Sequence, residues 1–270
     1  MGGEATSTRL FYRAFLACAN LIRRARVALR RREIDRFRRH CLNWSKLVPE
    51  AVFVVVGAND GVTGDPCLDI LLANPIWKGL LIEPVPHCFE RLRRRFSDAS
   101  RFVLERVAIG ERPGRAPFYY VDPAAVKALP ALPAWHDGLG SLERTHILKH
   151  LNGMLEPFIV ECEVEVCTLS EVLARTGIRD VHLLQIDTEG HDLQVLKTVD
   201  FAIYVPAMIF VEHKHLPREG KAAMRRLLLD HGYSVRDCGA DYYARNEGAS
   251  KRLQTVRASL PRVIESVYDV

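Results

Sequence analysis

From Pro49 to Arg245 the chain alternates short apolar runs with amphipathic stretches, and that alternation predicts a parallel sheet with crossover helices. The apolar runs place strands at Val52–Val56, Gly79–Ile82, Phe102–Ile109, Val181–Ile186 and Ala207–Val211. Apolar residues at helical spacing place helices at Asp65–Ala73, Pro86–Phe96, Leu169–Arg175, Asp192–Thr198 and Glu219–His231. Near the end, Tyr233–Cys238 and Tyr242–Arg245 are two β-prone runs around Gly239-Ala240-Asp241, a connection short enough for a hairpin. The expected fold class is α/β, a doubly wound Rossmann-like sheet with an antiparallel C-terminal hairpin and an N-terminal helical extension.

The regular alternation is interrupted at about residues 112–167. A strand at Ala116–Val121 opens this insertion, and the alternating Val160-Glu161-Cys162-Glu163-Val164-Glu165-Val166 closes it. Its middle, Asp122–Pro157, has no clean period and holds Trp135, His136, His146 and His150. A segment this long inside a compact domain is expected to act as a lid or substrate loop. The organisation expected is a basic helical leader at 1–48, a domain at 49–248 and a tail at 249–270.

Charge changes the picture only in the leader. The chain of 270 residues carries +5 overall, yet Arg9–Arg39 holds eleven arginines against Glu33 and Asp35, a local +9 that leaves about −4 for the rest. Nucleic-acid binding would need the basic residues along the domain body, so it is not expected. Phe11, Phe15, Ile22 and Leu29 give the leader an apolar face, which suits peripheral contact with an anionic membrane through residues 9–39 or, equally, packing against the domain. No run reaches the roughly 18 apolar residues of a membrane span and no secretory signal pattern is present, so a cytoplasmic location is expected, with peripheral contact at the inner membrane face as the further option. The seven cysteines include no Cys-x-x-Cys pair and read as reduced core residues.

The chemistry concentrates where apolar runs end. Val54-Val55-Val56 passes into Gly57-Ala58-Asn59-Asp60-Gly61, a turn whose backbone N–H groups would face the carboxyl edge of the sheet, with Gly57 and Gly61 allowing close approach and Asn59 and Asp60 adding polar contacts. The spacing is not that of a pyrophosphate-binding fingerprint, which disfavours a dinucleotide and hence a nicotinamide-dependent oxidoreductase. Glu83 ends the next strand, at the place where nucleoside-binding sheets put a carboxylate for the ribose hydroxyls. The runs Leu183–Ile186 and Ala207–Val211 end in Asp187-Thr188-Glu189-Gly190 and Glu212-His213-Lys214-His215, which would gather Asp187, Glu189, Glu212 and His213 at the same edge.

In order and spacing, VVVGANDGVTGDP, GLLIEPVPHCFERL, RVAIG, GSL at Gly140–Leu142, LLQIDTEGHDLQVL, MIFVEHKHL and HGYSV resemble the FkbM family of S-adenosylmethionine-dependent methyltransferases. That family often has lysine where Gln185 stands and asparagine where Arg106 stands. The resemblance implies methyl transfer to oxygen, often a sugar hydroxyl of a glycan, glycolipid or glycosylated natural product. It also implies that the Gly57–Gly61 turn cradles the methionine part of the donor, that Glu83 holds the ribose and that Ala108 and Ile109 flank the adenine. Ser141, Glu189 and Glu212 would meet the acceptor.

Methyl transfer to a neutral hydroxyl needs alignment and removal of a proton. Asp187 and His213 are the expected catalytic pair, His213 because its ordinary pKa suits proton transfer near neutrality. A divalent metal on the four edge groups is possible but not favoured, since no spacing forms a metal motif, and a His213/His215 pair, sharing one side of an extended strand, reads as polar surface. His136, His146, His150 and Trp135 are possible acceptor contacts. The alternative to an enzyme is a non-catalytic scaffold recruited by the arginine-rich helix.

Overall fold

The computed structural model describes residues 28, 31–43, 48, 50–63 and 65–255. Strands β1 (Val52–Val56), β2 (Lys78–Ile82), β3 (Phe102–Glu105), β7 (Leu183–Ile186), β8 (Met208–Glu212), β9 (Ser234–Asp237) and β10 (Asp241–Arg245) form one seven-stranded sheet. Its order is β3-β2-β1-β7-β8-β10-β9, with β10 antiparallel to both neighbours. This is the expected doubly wound sheet with its C-terminal hairpin. The chain order reverses beside β1, which pairs in parallel with β2 and β7, and such a switch point opens a crevice beyond the carboxyl ends of the strands.

Side-chain alternation along each strand divides the core. Val54 and Val56 of β1, Leu184 and Ile186 of β7, and Ile209 and Val211 of β8 face one layer; Phe53, Val55, Leu183, Met208 and Phe210 face the other. The first layer is covered by α6 (Leu169–Thr176), α7 (Asp192–Lys197) and α8 (Arg218–Asp230), through residues such as Val172, Leu196 and Met224. Helix α6 starts at a capping box between Thr168 and Glu171 and ends at left-handed Gly177.

The second layer is covered by α1 (residues 31–43), α2 (Leu68–Ala73), α3 (Pro86–Arg95) and α9 (Glu247–Thr255). In α1, Phe37 and Cys41 are fully buried, with the Phe37 ring stacked 4.6 Å from Phe210. Arg38 pairs with Asp69 at 2.6 Å and donates to the Pro66 carbonyl at 2.7 Å. Residues 31–43 of the leader therefore pack on the domain; of the stretch considered for membrane contact, residues 9–27, 29 and 30 lie outside the described residues. In α9, Ala249 and Leu253 are buried in the same layer, so packing continues past residue 248. No helix among the described residues is long and apolar enough to cross a membrane. The described cysteines, from Cys41 to Cys238, are free thiols, and five of these six are buried.

One expected strand is divided. Phe102–Ile109 forms β3 and then, after Glu105, leaves the main sheet as β4 (Ala108–Ile109), which pairs in parallel with β6 (Ile159–Cys167). Strand β6 pairs antiparallel with β5 (Gly114–Val121), giving a second sheet of order β4-β6-β5. At the break Glu105 pairs with Arg175 at 2.8 Å and Val107 is buried in the main core. Between β5 and β6 the insertion carries α4 (Ala125–Ala128), α5 (Arg144–Leu148) and three single 3-10 turns, around a separate small cluster of Val121, Ala125, Leu139, Ile147 and Leu155.

Candidate active site

A cavity of about 370 Å³ opens at the switch point, within the range of small-molecule sites. Its floor is the carboxyl ends of β1, β2 and β7, and its roof is the second sheet with Trp135, Gly138, Leu139, Gly140, Ser141 and Leu142 of the insertion.

Strands β1 and β7 end side by side, with the Asp187 N–H donating to the Val56 carbonyl at 3.0 Å. Gly57 follows with φ of 82°, and a Cβ placed on it would stand 1.8 Å from the Asp187 carbonyl oxygen, so only glycine fits. Asn59, also left-handed at φ 48°, turns its N–H toward the end of β2. There the Glu83 carboxylate accepts that N–H at 2.8 Å on Oε2 and the Val85 N–H at 2.8 Å on Oε1. Glu83 is buried, and burial pushes its carboxyl up to about 7 against the pull of those two donors. Each oxygen keeps a lone pair for a further donor.

Gly57, Asn59, Glu83, Ala108 and Ile109 all line this half of the cavity, together with Thr63 and Val107. Asp60 and Gly61 do not. Asp60 accepts from Val62 N–H at 3.0 Å and Thr63 N–H at 2.8 Å, tying its own turn, and Gly61 is required by α3, since a Cβ there would meet Phe96 at 2.7 Å. Gln185, standing where the family often has lysine, points to the opposite layer and bonds to Asp65. Arg106 is exposed.

The other half collects the acids of β7 and β8. Asp192, fully buried, accepts from the Thr188 N–H at 2.7 Å and the Gly190 N–H at 3.1 Å, and so fixes the loop between β7 and α7. Glu189 sits between these two residues with φ of 52°, an unusual conformation for a non-glycine. Its Oε2 lies 2.9 Å from His215 Nε2, 3.4 Å from His146 Nε2 and 4.0 Å from Lys214 Nζ. Lys214 also pairs with Glu212 at 2.7 Å. Burial, reinforced by the Glu212 and Glu189 charges, holds Asp187 well above the carboxylate range; burial pushes Glu212 up to about 8; Glu189 resists its own burial and is held low by His146, His215 and Lys214. Asp187, Glu189, Glu212, Lys214, His150 and His191 line this half, and Ser141 lines the roof, its Oγ accepting the Glu143 N–H at 3.2 Å.

His213 is the clear departure from expectation. Strand β8 ends at Glu212, and the turn that follows, with the Leu216 N–H donating to the His213 carbonyl at 3.1 Å, breaks the alternation assumed for His213 and His215. His213 turns away from the cavity, onto the Tyr242 ring at 4.0 Å and toward Asp237 at 3.5 Å. His215 comes to the site in its place. His136, also considered as an acceptor contact, is buried against Pro133 and is not among the lining residues, whereas Trp135 and His150 are. Lys214 is the functional candidate that sequence reasoning missed, with the alternation Glu212-x-Lys214 as its available signal, and His215, read as polar surface, reaches the site through Glu189.

The family model described as the methyltransferase FkbM domain matches residues 56–235. Among solved structures, precorrin-6y C5,15-methyltransferase from Geobacter metallireducens GS-15 is similar at 15% identity, covering 74% of this chain and 71% of that one with a TM-score of 0.35. A fibrillarin/Nop5p complex is similar at 10% identity, covering 72% and 70% with a TM-score of 0.33. No curated protein matches the chain. With the match to the family model spanning well over half of its length, from the end of β1 through β9, the chain belongs to the methyltransferase FkbM domain family.

Proposed function

We propose that this methyltransferase uses S-adenosylmethionine and methylates a hydroxyl group, that of a sugar, glycan or glycolipid. The observation that carries the reading is Glu83: a buried carboxylate, braced by the Asn59 and Val85 N–H groups, faces a small-molecule cavity with its remaining lone pairs uncommitted. The residues present suit the donor on a second count. Asn59 Oδ1 and Asp187 Oδ1 are buried without hydrogen-bond partners, and both residues line the cavity. Buried polar atoms left this way call for a ligand.

When bound, S-adenosylmethionine supplies a methyl carbon whose bond to sulfur breaks as its bond to the acceptor oxygen forms, the sulfur leaving as a neutral thioether. Glu83 accepts hydrogen bonds from ribose hydroxyls in its ionised form. Asn59 Oδ1 takes the ammonium of the methionine part, and Ala108, Ile109 and Val107 give the adenine an apolar wall. Leu139, Leu142 and Phe118 close the roof against water, which strengthens the polar contacts inside. Asp187, whose Oδ1 is buried without a hydrogen-bond partner at the cavity wall, removes the acceptor proton. Ser141, Glu189 and Glu212 orient the acceptor, and half-exposed Trp135 offers a sugar ring its face at the mouth.

Calorimetry with S-adenosylmethionine tests the donor half: binding by the parent and weakened binding by Glu83→Ala are expected, and no binding by the parent rejects it. Mass spectrometry of candidate glycans incubated with isotopically labelled donor tests the acceptor half. One methyl gained on a hydroxyl and lost in Asp187→Ala is expected; methylation on nitrogen or carbon rejects the oxygen assignment.

A further inference from the structure

We propose that His146, His150, His215 and Glu189 form a binding site for a zinc-class divalent transition-metal ion in the acceptor half of the cavity. One ligand atom from each of these residues lies within 4.8 Å of all the others. Two of the separations, Glu189 Oε2 to His215 Nε2 at 2.9 Å and to His146 Nε2 at 3.4 Å, are those of atoms sharing an ion. Metal–ligand bonds of about 2.1 Å separate neighbouring ligands by about 3.4 Å in a tetrahedron and about 3.0 Å in an octahedron. These same three atoms are buried and make no hydrogen bond of acceptable geometry. Two imidazoles set against one carboxylate without hydrogen bonds, with a third within reach, is an arrangement that a shared cation satisfies.

The backbone is specialised to hold the set. His146 and His150 stand one turn apart, the first in α5 and the second just after it, with ring centroids 4.9 Å apart. Leu151, Asn152 and Gly153 follow at once with φ of 49°, 53° and 78°, turning the chain away directly after His150. Glu189 is likewise left-handed, and Gly190 behind it packs against His146 and His215. Non-glycine residues in that region are strained and persist where the surroundings impose them, commonly at ligand sites.

Donor chemistry selects the ion. Three imidazole nitrogens and one carboxylate suit zinc, cobalt, nickel or iron(II), whereas magnesium and calcium prefer oxygen ligands throughout. Three carboxylates, Asp187, Glu189 and Glu212, stand here beside a single lysine, Lys214, which is 2.7 Å from Glu212 and 4.0 Å from Glu189. His150 and Glu189 line the cavity, which places the ion against the acceptor rather than the donor. Its catalytic part rests on the hydroxyl-methylation reading: an acceptor oxygen entering a fifth position would lose its proton to Asp187 more readily, as metal-bound water does.

The test uses the full chain, stripped with chelator and dialysed against Zn²⁺ or Co²⁺, with elemental analysis and visible spectroscopy. One equivalent of Zn²⁺ and the d–d bands of nitrogen-ligated Co²⁺ are expected. His146→Ala and His215→Ala should each weaken binding about 100-fold, whereas His231→Ala, at an exposed position, should not. Failure of the parent to bind one equivalent, or unchanged binding in folded His146→Ala and His215→Ala proteins, overturns the site. Should those variants not fold, the parent's Co²⁺ spectrum decides alone, and one without nitrogen-ligand bands overturns it. Calorimetry with S-adenosylmethionine on the same samples separates the two readings: metal without donor binding keeps the site and rejects the proposed function, and donor without metal binding does the reverse.

Discussion

At the end of β2 a single carboxylate, Glu83, is braced by two backbone N–H groups within one continuous piece of sheet and turn. At the ends of β7 and β8, three carboxylates, three imidazoles and one ammonium meet from three separate segments of chain. The first half is positioned by the strand ladder; the second depends on how the insertion seats over the sheet. The Glu83 half of the cavity is thus built on the main sheet, with Ala108 and Ile109 of the second sheet beside it, whereas the other half is completed by the insertion.

The sharpest way to break this contrast is Gly57→Ala, which puts a methyl group against the Asp187 carbonyl at a backbone conformation alanine resists. A loss of about 4 kcal/mol in stability is expected in denaturant titration, along with donor binding. Asp187→Asn leaves the shape and takes away the base, so turnover with an accepted substrate should fall roughly 10²- to 10⁴-fold while donor affinity measured by calorimetry changes far less. Glu83→Gln should act the other way, weakening donor affinity about 10- to 100-fold with little further effect on turnover at saturation.

Glu83 also sets a pH dependence. Because the donor needs the ionised carboxylate, affinity should rise with pH up to about 7 and then level off, and Glu83→Gln should flatten the profile. Stability runs oppositely: with the folded-state value raised, the contribution of Glu83 is fully present below its unfolded value near 4.5 and is lost as pH rises through about 7. Saturating donor should offset that loss in thermal melts. The smallest effect expected is from Trp135→Ala, a few-fold rise in acceptor KM with kcat unchanged, because the ring is half-exposed at the mouth.

The donor half was legible because its information is local. An apolar run, a glycine turn and an acid at the end of the next strand specify Gly57, Asn59 and Glu83 by themselves. What escaped there was the inward use of side chains: Asp60 satisfies its own turn, and Gly61 serves packing against α3. The acceptor half was legible only in fragments. His146 and His150 could be seen in the insertion, but nothing in its irregular middle says that α5 lies over the loop containing Glu189. Strict alternation would put His213 and His215 on one side, but the turn after Glu212 parts them, sending His213 onto Tyr242 and bringing His215 to Glu189. The split of Phe102–Ile109 was hidden for a similar reason: the apolar run continues while the chain changes sheets at Glu105.

The small cluster of Val121, Ala125, Leu139, Ile147 and Leu155 has a consequence for divergence. Since the roof keeps its own apolar filling, substitutions there need not be compensated beneath the seven-stranded sheet. The cap can therefore be rebuilt in sequence without disturbing the strand ends that hold Gly57, Asn59 and Glu83.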